Sequence, residues 1–202
     1  MAARQTAALG FSVHTGWAAL VAVSLPAAGE IALLDRRRIV MIPDTEREEP
    51  RFVYHAARDL VLAEAERRVR SSSERARRNA SEAVDAALKE LGAAGRHVVA
   101  SGVIGGGRRP GGSLEAILRS HSLIHAAEGA LFREAVRAAS ESLELLTTEV
   151  PAKELTERAA RRLGLSSAKL ESLLARVGQQ AGPPWAKDQR DACLAAVIAM
   201  PS

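Results

Sequence analysis

The sequence predicts an α/β fold: a mixed five-stranded sheet flanked by helices, with elements in the order β-β-β-α-β-α-β-α. Three observations carry this. Residues 8–43 read as three short apolar, β-prone runs separated by turn residues. From residue 52 onward apolar residues recur at helical spacing, interrupted by only two further β-prone runs. An antiparallel meander followed by alternating helix and strand needs a sheet extended by parallel strands, with helices on both faces.

The elements follow in order. Residues 1–7 read as a frayed tail. Residues 9–13 form the first strand, Thr15-Gly16 a turn, and residues 17–23 a second strand with β-branched Val21 and Val23. Pro26-Ala-Ala-Gly29 closes a short loop, and residues 30–42 form a third strand. Its Asp35-Arg-Arg-Arg38 segment is too charged to be buried on both faces and places the strand at an edge, where charge discourages edge-to-edge pairing. Residues 44–50 are a charged loop. A helical pattern spans 52–91, with one apolar stripe from Val53 to Ala63 and another from Ala83 to Leu91. The basic stretch 67–78 between the stripes is either a solvated part of one long helix or a break between two. Gly92 and Gly95 end the pattern.

Residues 97–104 are apolar enough for a central fourth strand. A glycine-rich loop, 105–112, leads to Ser113, a helix cap. The next helix runs to about residue 143. Residues 144–150 form the fifth strand, and Pro151 opens a helix. Helices over 152–163 and 166–177 are split by Gly164. Gly182-Pro-Pro-Trp185 is a stiff linker to a last helix over 186–200, apolar all round from Cys193 onward and therefore buried. There is no internal repeat, and residues 1–202 read as one domain.

Composition narrows the function. Hydrophobic residues make up 47% and charged residues 26%, as in globular proteins. Aromatics are 3%, so few side chains can stack on exposed nucleobases. The net charge is +4, and of the 28 basic residues only Lys89, Lys153, Lys169 and Lys187 are lysine. That arginine bias is either compositional or a phosphate-binding surface. Cys193 is alone, which excludes a disulfide framework and a cysteine zinc site. No apolar run reaches the roughly 18 residues of a membrane span. The expected location is a reducing cytoplasm.

Four groups of residues are candidates for chemistry. Asp188 and Asp191 lie one helical turn apart on one face. They are either part of a metal or phosphate-proximal site or acids that complement a helix N-terminus. The loop 105–112 joins a strand to a helix, where backbone N–H groups can hold an anion with help from Arg108 and Arg109; it matches neither a P-loop nor a dinucleotide fingerprint. The segment 67–78 either tracks a nucleic-acid backbone or is a solvated face, since Glu64, Glu66, Glu74 and Glu82 are interleaved with it. Finally, His121, His125 and Glu128 fall within roughly 60° of one another on a helix, in the middle of its apolar stripe. They are expected to point towards the sheet as a buried polar cluster with Ser12 and His14 on the first strand. The alternatives are a His-His-carboxylate metal site, or a helix break near Ser120 that turns the trio outward.

The element order resembles the ribonuclease H-like fold. Two segments resemble the RuvC-type Holliday-junction resolvases: Leu9-Gly-Phe-Ser-Val-His-Thr-Gly-Trp17, and Lys187-Asp-Gln-Arg-Asp-Ala-Cys-Leu-Ala-Ala-Val-Ile198. The resemblance implies a nuclease in which an Asp on strand one, a Glu at the end of strand four and acids on the last helix hold two metal ions. Here Ser12 stands where the first Asp is expected, and strand four ends Ala100-Ser-Gly-Val-Ile104 without an acid. Only Asp188 and Asp191 remain as catalytic and metal-binding candidates, with magnesium as the cofactor if nuclease activity persists. The reading is a catalytically degenerate, resolvase-like protein that binds nucleic acid, with Arg108, Arg109 and Lys187 as its contacts. The alternative is a ribonuclease H-like scaffold that binds a protein partner or a small anion. The partners expected are nucleic acid and, in a homodimer, a second copy of the chain, with no membrane.

Overall fold

In the computed structural model of the chain, which describes residues 5–44, 50–106 and 110–201, the sheet begins earlier than the sequence suggests. Strand β1 spans Gln5–His14, and Gln5, Thr6 and Ala7 are already paired with Arg96, His97 and Val98. The expected frayed tail of 1–7 is therefore corrected at 5–7, and residues 1–4 lie outside the described residues. β2 (Trp17–Ser24) and β3 (Ala32–Val40) complete an antiparallel meander. β4 (Arg96–Gly105) and β5 (Leu146–Pro151) add parallel to β1. The strand order is β3-β2-β1-β4-β5. β1 and β2 are near-continuous apolar runs because both of their faces are covered. β3 is an edge strand, as its charges indicate.

The helices form two layers. On one face lie α1 (Val53–Ala57), α2 (Leu62–Ala93), α3 (Leu114–Leu118) and α4 (His121–Ser142), packed on Leu9, Phe11, Leu20 and Val103. On the other lie α5 (Leu155–Leu163), α6 (Ser167–Ala181) and α7 (Lys187–Ala199), packed on Ala8, Val21, Val23 and Ala100. A single 3₁₀ turn, Ala152–Glu154, precedes α5. Among the described residues no helix is long and apolar enough to cross a membrane.

Two helix boundaries differ from the sequence reading, and both matter for the site. The basic stretch 67–78 lies inside the uninterrupted α2. The break comes earlier, between α1 and α2 at residues 58–61, where neither Gly nor Pro announces it. A narrow stripe of small residues (Ala65, Ser72, Ala76, Ala80) faces the core and leaves Arg67, Arg70, Arg77 and Arg78 exposed. The helix after Ser113 is also interrupted: Ser113 Oγ accepts from Ala116 N at 3.2 Å, α3 ends at Leu118, and α4 restarts at His121.

α7 packs directly against the backbone of the sheet. Gly10 and Gly102 are register partners on β1 and β4. A Cβ on Gly10 would stand 1.8 Å from the Ala192 carbonyl oxygen, and one on Gly102 would stand 2.2 Å from that of Ala195. The paired glycines make a trough into which the backbone of α7 descends, and the alanines on its underside permit it. Complete burial pushes the Cys193 thiol in this layer up to about 12, so it is an inert core group.

Candidate functional site

β1 and α7 meet at the end of the sheet where β1 and β4 finish. Alternation along β1 points Ser12 and His14 to the α7 side. Asp188 lies in the first turn of α7. Its Oδ1 accepts a hydrogen bond from Ser12 Oγ at 3.2 Å and lies 2.8 Å from His14 Nε2. The Thr15-Gly16 turn pairs His14 with Trp17 across the hairpin, and their rings stack with centroids 4.3 Å apart and planes 11° apart. On the other side of Trp17, diagonally across on β3, the Arg38 guanidinium carbon lies 4.1 Å from the indole centroid. A continuous row, Arg38–Trp17–His14–Asp188, therefore runs across three strands to the helix. Sequence reasoning missed Trp17 and Arg38. The two-residue turn was visible and fixes the His14–Trp17 pair.

The row is held in place by Arg36. Its guanidinium donates to the carbonyls of Ala181, Gly182, Pro183 and Pro184, the linker that delivers α7. Charge-assisted bonds of this kind contribute about 1.5–3 kcal/mol. Arg36→Ala is expected to cost about 2 kcal/mol in chemical denaturation; an unchanged midpoint would show that α7 is positioned by its packing alone.

Among the described residues, the side chains at this site do not fit a two-metal magnesium centre. Such a centre draws on carboxylates from several elements. Phe11 pairs with Val103, so the β4 residue beside Ser12 is aliphatic Ile104. Asp188 is engaged by Ser12 and His14, and Asp191 by an ion pair with Lys187. Glu149 on β5 is the register partner of Val103, whose side chain belongs to the opposite face. Asp188 and Asp191, expected to act as catalytic and metal-binding acids, thus share a helix face, and among the described residues no third acidic group joins them. Lys187 is exposed but paired. Arg108 and Arg109 lie outside the described residues.

The expected single buried polar cluster is corrected to two groups on opposite faces of the sheet. Ser12 and His14 belong to the Asp188 site. Glu128 is buried on the other face, with 3% exposure. Its Oε1 accepts from Tyr54 N at 2.8 Å and His55 N at 3.2 Å, and its Oε2 accepts from Val53 N at 3.1 Å. Thus a carboxylate from α4 caps the exposed N–H groups of α1. Burial pushes the Glu128 carboxyl above its usual range, and the bonds from His55 and Tyr54 offset this in part. His121 and His125 are exposed. They do share a helix face with Glu128, but they occupy the first turns of α4, where the neighbouring element is short α1. Their partner is His55, also missed from the sequence: its ring lies 5.7 Å from His121 and 4.9 Å from His125, centroid to centroid.

No protein-family model matches the sequence, and no curated protein matches it. By structure the chain is similar to RuvC of Thermus thermophilus, with a TM-score of 0.52 and 12% identity over 97% of this chain and 99% of that chain. It is similar also to T. thermophilus RuvC solved in complex with a Holliday junction substrate, with a TM-score of 0.51 and 13% identity over 98% and 99%. At these identities the likeness establishes the fold: a RuvC-like, ribonuclease H-like arrangement along nearly the whole chain.

Proposed function

We propose that this RuvC-like chain binds nucleic acid and does not cut it by the two-metal route. The observation that carries the reading is the state of the α7 acids. Asp188 is taken up by Ser12 and His14, Asp191 by Lys187, and Ile104 stands beside Ser12. Among the described residues too few carboxylates converge to hold two ions and stabilise a leaving oxygen. What the site does offer is a flat, cationic row: exposed Arg38 supported on Trp17, at the end of the sheet where a phosphate backbone can approach.

The substrate named for the Thermus complex makes a four-way DNA junction the first ligand to test, beside duplex and single strand. Fluorescence anisotropy is expected to give binding that weakens steeply with salt. Arg38→Ala should weaken it for every sequence alike and reduce the salt slope by about one. No cleavage is expected with magnesium or manganese. Metal-dependent cleavage abolished by Asp188→Asn would overturn the degenerate reading, and absence of salt-sensitive binding to all three ligands would overturn the nucleic-acid reading.

A further inference from the structure

Three histidines meet where α1 touches the start of α4. His121 is the first residue of α4, and His125 follows one turn later on the same face. Their Nε2 atoms are 2.9 Å apart. His55 comes from α1, 66 residues before His121 (121 minus 55), so the fold and not local sequence assembles the group. One ring nitrogen from each of the three lies within 4.8 Å of the others, and no other His, Cys, Asp or Glu trio among the described residues does this.

We propose that His55, His121 and His125 form a binding site for one divalent late transition-metal ion, with zinc the best fit by chemistry. Neutral imidazoles suit zinc, copper and nickel, whereas magnesium and calcium take oxygen ligands. A tetrahedral ion with metal–nitrogen bonds of about 2.0–2.1 Å spaces its ligand nitrogens about 3.3 Å apart. The His121–His125 pair has to open by only a few tenths of an ångström, which exposed side chains permit.

A second, independent observation points the same way. Histidine ligands in metal sites usually donate their other ring N–H to a carboxylate, which fixes tautomer and ring orientation. Glu128 Oε1 lies 3.3 Å from His55 Nδ1. Both Glu128 oxygens already accept backbone N–H groups, so Nδ1 is the donor there and His55 Nε2 keeps its lone pair. The carboxylate is 3% exposed and held by three backbone bonds, so it is a rigid support. The exposed His121 and His125 leave a fourth coordination position open to water or to a small ligand. An ion bound here ties α1, only five residues long, to α4.

The site does not depend on the nucleic-acid reading, because it lies on the sheet face opposite Asp188 and uses none of the same residues. The test is a calorimetric zinc titration of the untagged full-length chain, stripped of metal, with cobalt(II) in parallel to report tetrahedral geometry by its visible absorption. One saturable equivalent is expected. His121→Ala and His125→Ala, both exposed and therefore compatible with folding, should each weaken binding at least tenfold. His97→Ala, at an exposed histidine on β4, should leave binding unchanged. The melting temperature should rise with zinc and fall back with chelator in the parent chain and in His97→Ala, and should respond far less in His121→Ala and His125→Ala. The proposal is overturned by absence of a saturable equivalent, by binding that survives His121→Ala and His125→Ala, or by equal loss in His97→Ala.

Discussion

Gly10→Ala is expected to lower stability by about 3 kcal/mol, the upper end of what one extra methyl costs in a packed interior. The new Cβ would lie 1.8 Å from Ala192 O, 2.6 Å from Ala196 N and 2.9 Å from Ala192 C. All three are backbone atoms of α7, so no side-chain rotation relieves the clash and the helix has to lift. Gly102→Ala meets Ala195 O at 2.2 Å and should behave alike. Because both push the same helix off the same trough, the double variant should cost clearly less than the sum of the two. Gly92→Ala is the control: it lies within α2, a Cβ there meets nothing within 4 Å, and it should stabilise by up to about 0.5–1 kcal/mol. Urea midpoints of the four variants settle the matter. A Gly10→Ala chain as stable as the parent would mean that α7 is not seated on backbone contact. Lifting α7 also withdraws Asp188 from His14, so the backbone contact of α7 with the sheet is what sets the geometry of the candidate site.

That coupling explains which parts of the protein were legible in its sequence. The meander, the edge position of β3 and the two helix layers follow from local signals: the Thr15-Gly16 turn, the charges of β3, and the apolar end of α7. Gly10 carried a signal too, since glycine within a strand marks a bulge or a close backbone approach. Its pairing with Gly102 depends on the β1–β4 register across 92 residues (102 minus 10), which no local pattern encodes. The candidate site was half legible for the same reason. Asp188 and Ser12 were visible as positions in a motif, whereas the bond between them spans 176 residues. The His121–His125–Glu128 spacing was correctly read as one helix face. The break before α4 and the short α1 then decided which part of that face was covered, so the carboxylate is buried while the two rings are open. His55 stands alone in a helix of five residues, and nothing around it in sequence distinguishes it from a surface histidine.

Glu128→Ala, measured in metal-free protein, is expected to cost about 3 kcal/mol, as when one partner of a buried charged contact is removed. The loss is not chiefly one of packing. Val53 N, Tyr54 N and His55 N each give up a charged acceptor, and Val53 and Tyr54 are buried, so water replaces it poorly. A helix of five residues has almost no hydrogen bonds of its own to fall back on. The damage should therefore be local as well as global. Amide exchange at residues 53–57 should accelerate well beyond the change in the core of β1, because α1 opens before the sheet does. Glu128→Gln keeps a carbonyl acceptor but not the charge and should fall between the parent and the alanine variant. If Glu128→Ala shifts the denaturation midpoint by less than about 0.5 kcal/mol, the ordinary range for surface changes, then the buried carboxylate does not hold α1. In that case α1 must owe its place to Val53, Tyr54 and Ala57, buried in the core that α1 shares with α2 and α4.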